Sequence, residues 1–250
     1  MWEFKDGAHY AIRGLGLLTK PGLRRFVIVP LFINIAVFGS ALWWLSSWLG
    51  SRVSAWAEAA VSWLPDWLGW VSAMLSGLMW IVFGLGALVV VFYLFSAVAN
   101  LLAAPFNGLL AEKVEAQLTG KAPENSVSIW KEIAVAPMQE VWKLFYFVVW
   151  AIPLAILFLI PGVNLAAPFV WAVFSAWMLA LQYLDYPLGN HAIRFKAQRA
   201  MIRRRRGLGL GFGSVVLVLT MVPILNFLAM PAAVVGATAL WVEKLRSEAE

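Results

Sequence analysis

The sequence predicts an all-α integral membrane protein. It has two long transmembrane helices, two helical hairpins that dip into the bilayer and return (hemi-penetrating), and an amphipathic N-terminal helix lying at the interface. Three observations predict this. Of 250 residues, 62% are apolar and 13% charged, with a mean hydropathy of +0.81. Soluble domains run at roughly 45–50% and about 25%, and a soluble fold of this size could not hide the excess. Next, four long stretches carry no Asp, Glu, Lys or Arg at all. Finally, the 19 Lys and Arg fall between those stretches, as the flanks of membrane segments do.

The elements follow in order along one membrane domain, 1–250. Residues 1–25 hold an interfacial helix, Phe4–Leu18, ended by Pro21-Gly22. The first charge-free run, 26–51, has 26 residues, roughly 39 Å as a helix and enough for one tilted span. The second, 67–111, has 45, too long for one span. It fits a helix projecting beyond the bilayer or a span near 71–95 followed by a break at Pro105 and Gly108. The two spans thus occupy 26–111, and an extramembrane helical segment follows at 112–143. Two helices are expected outside the membrane core, at 106–118 and 128–143, joined by the linker 119–126.

The third run, 144–184, carries the turn signal Pro161-Gly162 near its middle and reads as the first hairpin. Its arms are long enough that full crossing is the close alternative. A basic loop, 185–206, separates it from the fourth run, 207–242, where Pro223 and Pro231 bracket a tip and leave arms of about 11–16 residues, short for a ~30 Å core. With two spans and two out-and-back hairpins, every basic segment lies on one side except the single arginine of 52–66, which satisfies the positive-inside rule. A faint echo, Asn-(Leu)-Ala-Ala-Pro-Phe at Asn100, at Asn164 and, looser, at Asn226, hints that broken segments recur.

Composition also excludes chemistry. With no cysteine there are no disulfides, thiolate metal sites or Fe–S clusters, and two histidines, His9 and His191, make no multi-histidine metal site. No cofactor is expected. No phosphate-binding loop is present, so the chain carries no ATP motor, and Gly207–Gly213 lacks the strand context of a dinucleotide fold; close helix packing explains its glycines better. The start, rich in early charge, does not resemble a signal peptide. Asp185, Asn190 and His191 have no nucleophile elbow beside them, so no enzyme is expected. Arg203–Arg206, flanked by an apolar run, reads as an anchor to anionic lipid rather than as a nucleic-acid patch. The 15 tryptophans, many near the run edges, suit an aromatic belt.

Two sets of residues carry candidate chemistry. Gly22, Leu23, Arg24 and Arg25 stand where one helix breaks and the next begins. Helix-start amides and two guanidiniums favour a tetrahedral oxyanion. Arginines beside a span also serve simply as anchors, and on the residues alone that role weighs more. Asn107, Glu112, Lys113 and Glu115 follow the end of the second run. They line a polar path if the helix points inward, and are solvated charges if it points outward.

Four blocks closely resemble the CysZ family of bacterial inner-membrane sulfate permeases: Pro21-Gly-Leu-Arg-Arg-Phe-Val-Ile28, Leu102-Ala-Ala-Pro-Phe-Asn-Gly-Leu-Leu-Ala-Glu112, Phe174-Ser-Ala-Trp-Met-Leu-Ala-Leu-Gln-Tyr-Leu-Asp-Tyr-Pro187 and Met230-Pro-Ala-Ala-Val-Val-Gly-Ala-Thr-Ala-Leu-Trp241. They occur in order, with compatible spacing, across essentially the whole chain. The resemblance implies sulfate as substrate, moved inward for assimilation into cysteine, through a multi-pass protein of the bacterial inner membrane. It implies a sulfate site at Gly22, Leu23, Arg24 and Arg25, and strengthens the ion-path reading of Asn107, Glu112, Lys113 and Glu115. It also implies a homo-oligomer, dimer or higher, whose protomers insert in both orientations, whereas the charge count favours one. The partners expected are thus sulfate, the lipid bilayer and further copies of the chain, with no nucleic acid. The rival expectation is a membrane-embedded accessory or regulatory subunit of a separate anion transporter.

Overall fold

A computed structural model describes residues 2–62, 65–121 and 129–248, and these are helices joined by turns. The helices are α1 (Trp2–Leu17), α2 (Arg25–Val61), α3 (Gly69–Thr119), α4 (Ile129–Leu157), α5 (Ala167–Asn190), α6 (Phe195–Arg204), α7 (Arg206–Met221) and α8 (Pro223–Leu240), the last running on into a wider π turn, Trp241–Leu245. The chain is an all-α membrane protein. Among the described residues five segments are long and apolar enough to cross a bilayer: 28–61, 69–93, 138–157, 167–190 and 228–245. The described residues form two compact units, residues 1–27 with 105–250, and residues 28–104.

The first unit is built on backbone contact. A Cβ at Gly7 would overlap the carbonyl oxygen of Leu208, and one at Gly14 that of Ala232. Gly211 meets the Phe4 carbonyl in the same way, Gly213 that of Ala176, and Gly236 that of Tyr10. Lipid tails are as apolar as leucine, so helices in a bilayer gain little from hiding apolar surface. They gain from close approach, which small residues allow. The glycines of 207–213 therefore do what their spacing suggested, with α1 seated on α7 and α8 and α7 on α5. Around these contacts Tyr10, Leu17, Leu23, Leu110, Phe212 and Trp241 share one buried cluster.

α1 is also tied at its polar edge. Its Glu3 pairs with Arg205, Asp6 with Lys244 at 3.3 Å and Arg13 with Glu243 at 2.8 Å. The Tyr10 hydroxyl donates to the same Glu243 oxygen at 2.8 Å. Burial, and then the adjacent Glu243 carboxylate, push the Tyr10 phenol up to about 12. One face of the expected interfacial helix is thus covered by protein, while Trp2 and Ile12 stay exposed.

The second unit holds most of α2 and the first part of α3. Val53 and Ala57 are buried within it, and Trp56 meets Phe83 at 5.2 Å between ring centres. A cavity of about 650 Å³ is lined by apolar side chains only, among them Trp44, Trp48, Trp56 and Phe83. Large apolar residues such as Phe32, Trp43, Leu85 and Val89 are exposed along both helices. Helices apolar all round are those a membrane surrounds.

Several expected boundaries differ. Of the two readings of the second run the unbroken helix holds: α3 passes Pro105 and Gly108 and runs to Thr119. An internal proline costs about 3 kcal/mol, and burial of Leu110 and Val114 at about 1.5–3 kcal/mol each offsets it. The separate helices expected at 106–118 and 128–143 are therefore the ends of α3 and α4. The linker expected at 119–126 lies largely outside the described residues.

The third run does turn at Pro161-Gly162, where Gly162 takes φ +82°. The fourth turns at Val222 alone. Pro223 opens α8, where a proline ring fits, and α8 passes through Pro231. Its arms are 16 and 18 residues, the first at the upper end of the expected range and the second beyond it. Of the echoed asparagines, Asn164 and Asn226 sit just after these two turns, while Asn100 lies inside α3.

Candidate functional site

Between α1 and α2 the chain passes through a series of short turns. α1 unwinds through short turns in which Thr19 and Lys20 amides donate to the Gly16 and Leu17 carbonyls, at 3.3 and 3.0 Å. Gly22 then takes φ +86°, which L-residues rarely adopt. Leu23, 1% exposed, pins the turn into the buried cluster. Among the described residues the amides of Gly22, Arg24 and Arg25 donate to no backbone carbonyl. Amides at a helix start, following a left-handed residue, are donors of the kind that anions bind.

The two arginines are placed differently. Arg24 Nε donates to the Thr19 carbonyl at 2.9 Å, which fixes the guanidinium over the turn and leaves its terminal nitrogens available. The Arg25 guanidinium lies 5.1 Å from the centre of its neighbour's ring, Phe26. Both are exposed, and neither pairs with a carboxylate among the described residues. Gln117 of α3 donates to the Pro21 carbonyl at 3.3 Å, joining the turn to the last turns of α3.

That end of α3 presents one stripe to the protein: Asn107, Leu110, Ala111, Val114 and Glu115 are all buried. Helical spacing makes them neighbours on one face. Asn107 Nδ2 donates to the Tyr186 hydroxyl at 3.2 Å. Glu115 is 1% exposed, and His191 Nε2–H donates to both its carboxylate oxygens at 2.9 Å; Arg246 approaches to 3.6 Å. A carboxylate this deep needs such partners, because an unpaired buried charge is expensive. The indole of Trp241 lies tilted against His191, 5.2 Å between centres, and its buried N–H has no acceptor among the described residues.

The four candidates at the end of α3 are therefore not equivalent. Asn107 and Glu115 point inward. Lys113 is exposed, and Glu112 is only partly covered. Burial, and then the nearby Glu115 carboxylate, hold the Glu112 carboxyl above the usual carboxylate range. No group of three acidic or histidine side chains suited to a metal is found among the described residues.

A second buried network was not anticipated. Lys143 of α4, 5% exposed, pairs with Asp185 at 2.6 Å and Glu140 at 2.5 Å. Gln198 of α6 donates to the other Asp185 oxygen at 2.5 Å. Asn190 Nδ2 donates to the Gly108 carbonyl at 3.1 Å. The sequence signal was available: polar residues clustered at the end of the apolar α5 are costly in a membrane and demand partners. What the sequence could not supply was which partners.

Comparison with known proteins places these residues in context. The family described as sulfate transporter CysZ/etoposide-induced protein 2.4 matches residues 10–231. A protein of Pectobacterium atrosepticum called sulfate transporter CysZ is 46% identical over 246 residues, covering 97% of this chain and 86% of that protein. A protein of Salmonella typhimurium with the same name is 44% identical over 247 residues, covering 98% of this chain and 94% of the relative.

Proposed function

The chain belongs to the sulfate transporter CysZ/etoposide-induced protein 2.4 family, and from that premise we propose that it is a sulfate permease of the bacterial inner membrane, admitting sulfate for assimilation into cysteine. The observation that carries the proposal is the turn at Gly22–Arg25. Its free amides, buried Leu23 anchor and two unpaired guanidiniums suit a tetrahedral dianion. Gly22, Leu23, Arg24 and Arg25 form the capture site. The amides and guanidinium forks replace part of the ion's hydration without enclosing it, which lets it leave again.

Asn107, Glu112, Lys113 and Glu115 belong to the route beyond it. The Gln117–Pro21 hydrogen bond supports this, since it sets the last turns of α3 beside the capture turn. The working form is a homo-oligomer, in which neighbouring copies cover irregular backbone at the hairpin tips. Moving two negative charges inward against about 100 mV costs on the order of 4.6 kcal/mol. Passive flow therefore needs rapid consumption of sulfate inside; otherwise coupled cations must offset the two charges, with Glu112 and Glu115 the nearest groups to carry protons.

The test is radiolabelled sulfate uptake into proteoliposomes holding only this chain, beside the Arg24→Ala/Arg25→Ala double variant. Uptake that collapses in the variant is expected. Equal uptake in both discards the site. No uptake in either, from folded protein, replaces the permease with the accessory-subunit reading.

A further inference from the structure

α6 is held by its inner face. Phe195, Gln198 and Ile202 are buried, and Gln198 donates to Asp185 and to the Ile193 carbonyl, at 2.5 and 2.8 Å. The Phe195 amide donates to Gln139 Oε1 of α4 at 3.1 Å. With that face fixed, helical spacing brings Lys196, Arg199, Arg203 and Arg204 together, and Arg206 at the start of α7 joins them. The Arg206 Nε donates to the Arg203 carbonyl at 3.2 Å. These five cations line a cavity of about 390 Å³.

None of the five pairs with a carboxylate among the described residues, whereas Arg205 between them is taken by Glu3. Like charges gathered this way repel, and no carboxylate among the described residues pairs with them. An anion from outside would. The cavity falls within the ~300–1,000 Å³ of small-ligand pockets, more than a lone ion requires.

The surroundings indicate the source of that anion. Arg199 lies 4.9 Å from the ring centre of Tyr146 on α4. Tyr146 stands near the start of a charge-free stretch in which Phe145, Phe147 and Trp150 are exposed. α6 itself connects α5, long enough to span, to the apolar α7. Cations above exposed aromatic and apolar side chains match a lipid's own order of phosphate above acyl chains. We propose that this cavity is a binding site for the phosphate headgroup of an acidic phospholipid, with Arg199 and Arg203 forking onto phosphate oxygens and Lys196 and Arg206 adding charge.

Native mass spectrometry of the purified full chain in detergent tests this without sulfate present, so the outcome does not depend on the permease reading. The probes are diphosphatidylglycerol and the zwitterionic phosphatidylcholine. We expect at least a tenfold preference for the acidic lipid, falling at least tenfold in Arg199→Gln/Arg203→Gln. The matched control Arg52→Gln/Lys121→Gln, which removes two exposed cations elsewhere, keeps the preference. Arg199→Lys/Arg203→Lys, folded and equally charged, retains only part of it, because lysine lacks the planar fork.

Three results overturn the proposal. One is equal retention in the wild type and the Arg199→Gln/Arg203→Gln variant. Another is equal loss in the control pair, which would mean binding by net charge alone. The last is displacement of the lipid by millimolar pyrophosphate, which would make this a site for soluble anions.

Discussion

Nε2 of His191 stands 2.9 Å from both carboxylate oxygens of Glu115, in a place where Glu115 is 1% exposed. α3 and the turn that follows α5 are thus joined by a hydrogen-bonded contact inside the protein. Removing one partner of such a pair leaves the other stranded. Glu115→Ala should lower stability by about 3 kcal/mol, and His191→Ala by less, because Arg246 still approaches Glu115. Thermal unfolding in detergent would show the order. Equal, negligible losses would mean that the pair is not formed.

Glu112 supplies a pH prediction. Its carboxyl is raised in the folded protein by burial and by Glu115, so the folded state holds its proton more tightly than the unfolded chain does. Its contribution to stability is then full below the unfolded value and lost as pH rises through the raised folded value. Glu112→Gln, which stays neutral, should raise the Tm at pH 7 and lose that advantage near pH 4. An advantage that persists unchanged at pH 4 would contradict the shift.

Gly7 and Gly16 lie on the same helix with opposite surroundings. A Cβ at Gly7 meets the Leu208 backbone, and one at Gly16 meets nothing within 4 Å. Gly7→Ala should cost about 1–3 kcal/mol by forcing α1 from α7. Gly16→Ala should gain up to about 1 kcal/mol from helix propensity. Denaturation curves of the two variants should move in opposite directions.

Gly22 separates conformation from space. A Cβ there would sit 3.7 Å from Gln117 Nε2, an ordinary contact, so only φ +86° opposes a side chain. Gly22→Ala should cost about 1–2 kcal/mol and weaken sulfate binding by opening the turn. Gly22→Asn, which tolerates this conformation better, should recover much of both. Calorimetric titration with sulfate checks the pair, and equal loss in both would place the fault in bulk instead.

Much of this was readable from charge-free runs. They located the membrane segments, and Pro161-Gly162 and the Pro21-Gly22 break marked real turns because each pairs a helix breaker with a residue free to take positive φ. Pro105 misled for a physical reason: the burial of Leu110 and Val114 farther along α3 outweighs one lost hydrogen bond. The same tertiary packing carries α8 through Pro231. The fate of Glu115 was half legible, since the stripe Asn107–Leu110–Val114 shows which face turns inward. Its partners His191 and Arg246 lie far along the chain, where no local spacing points to them.

The fit of α1 against α7 and α8 bears on how the chain is made. A ribosome extends a chain by about 5–20 residues per second, so α1 precedes the completion of α8 by roughly 11 to 45 s. Until α7 and then α8 are made, Gly7 and Gly14 lack the Leu208 and Ala232 backbone against which they pack. A chain stalled before residue 206 would therefore leave α1 without its seat.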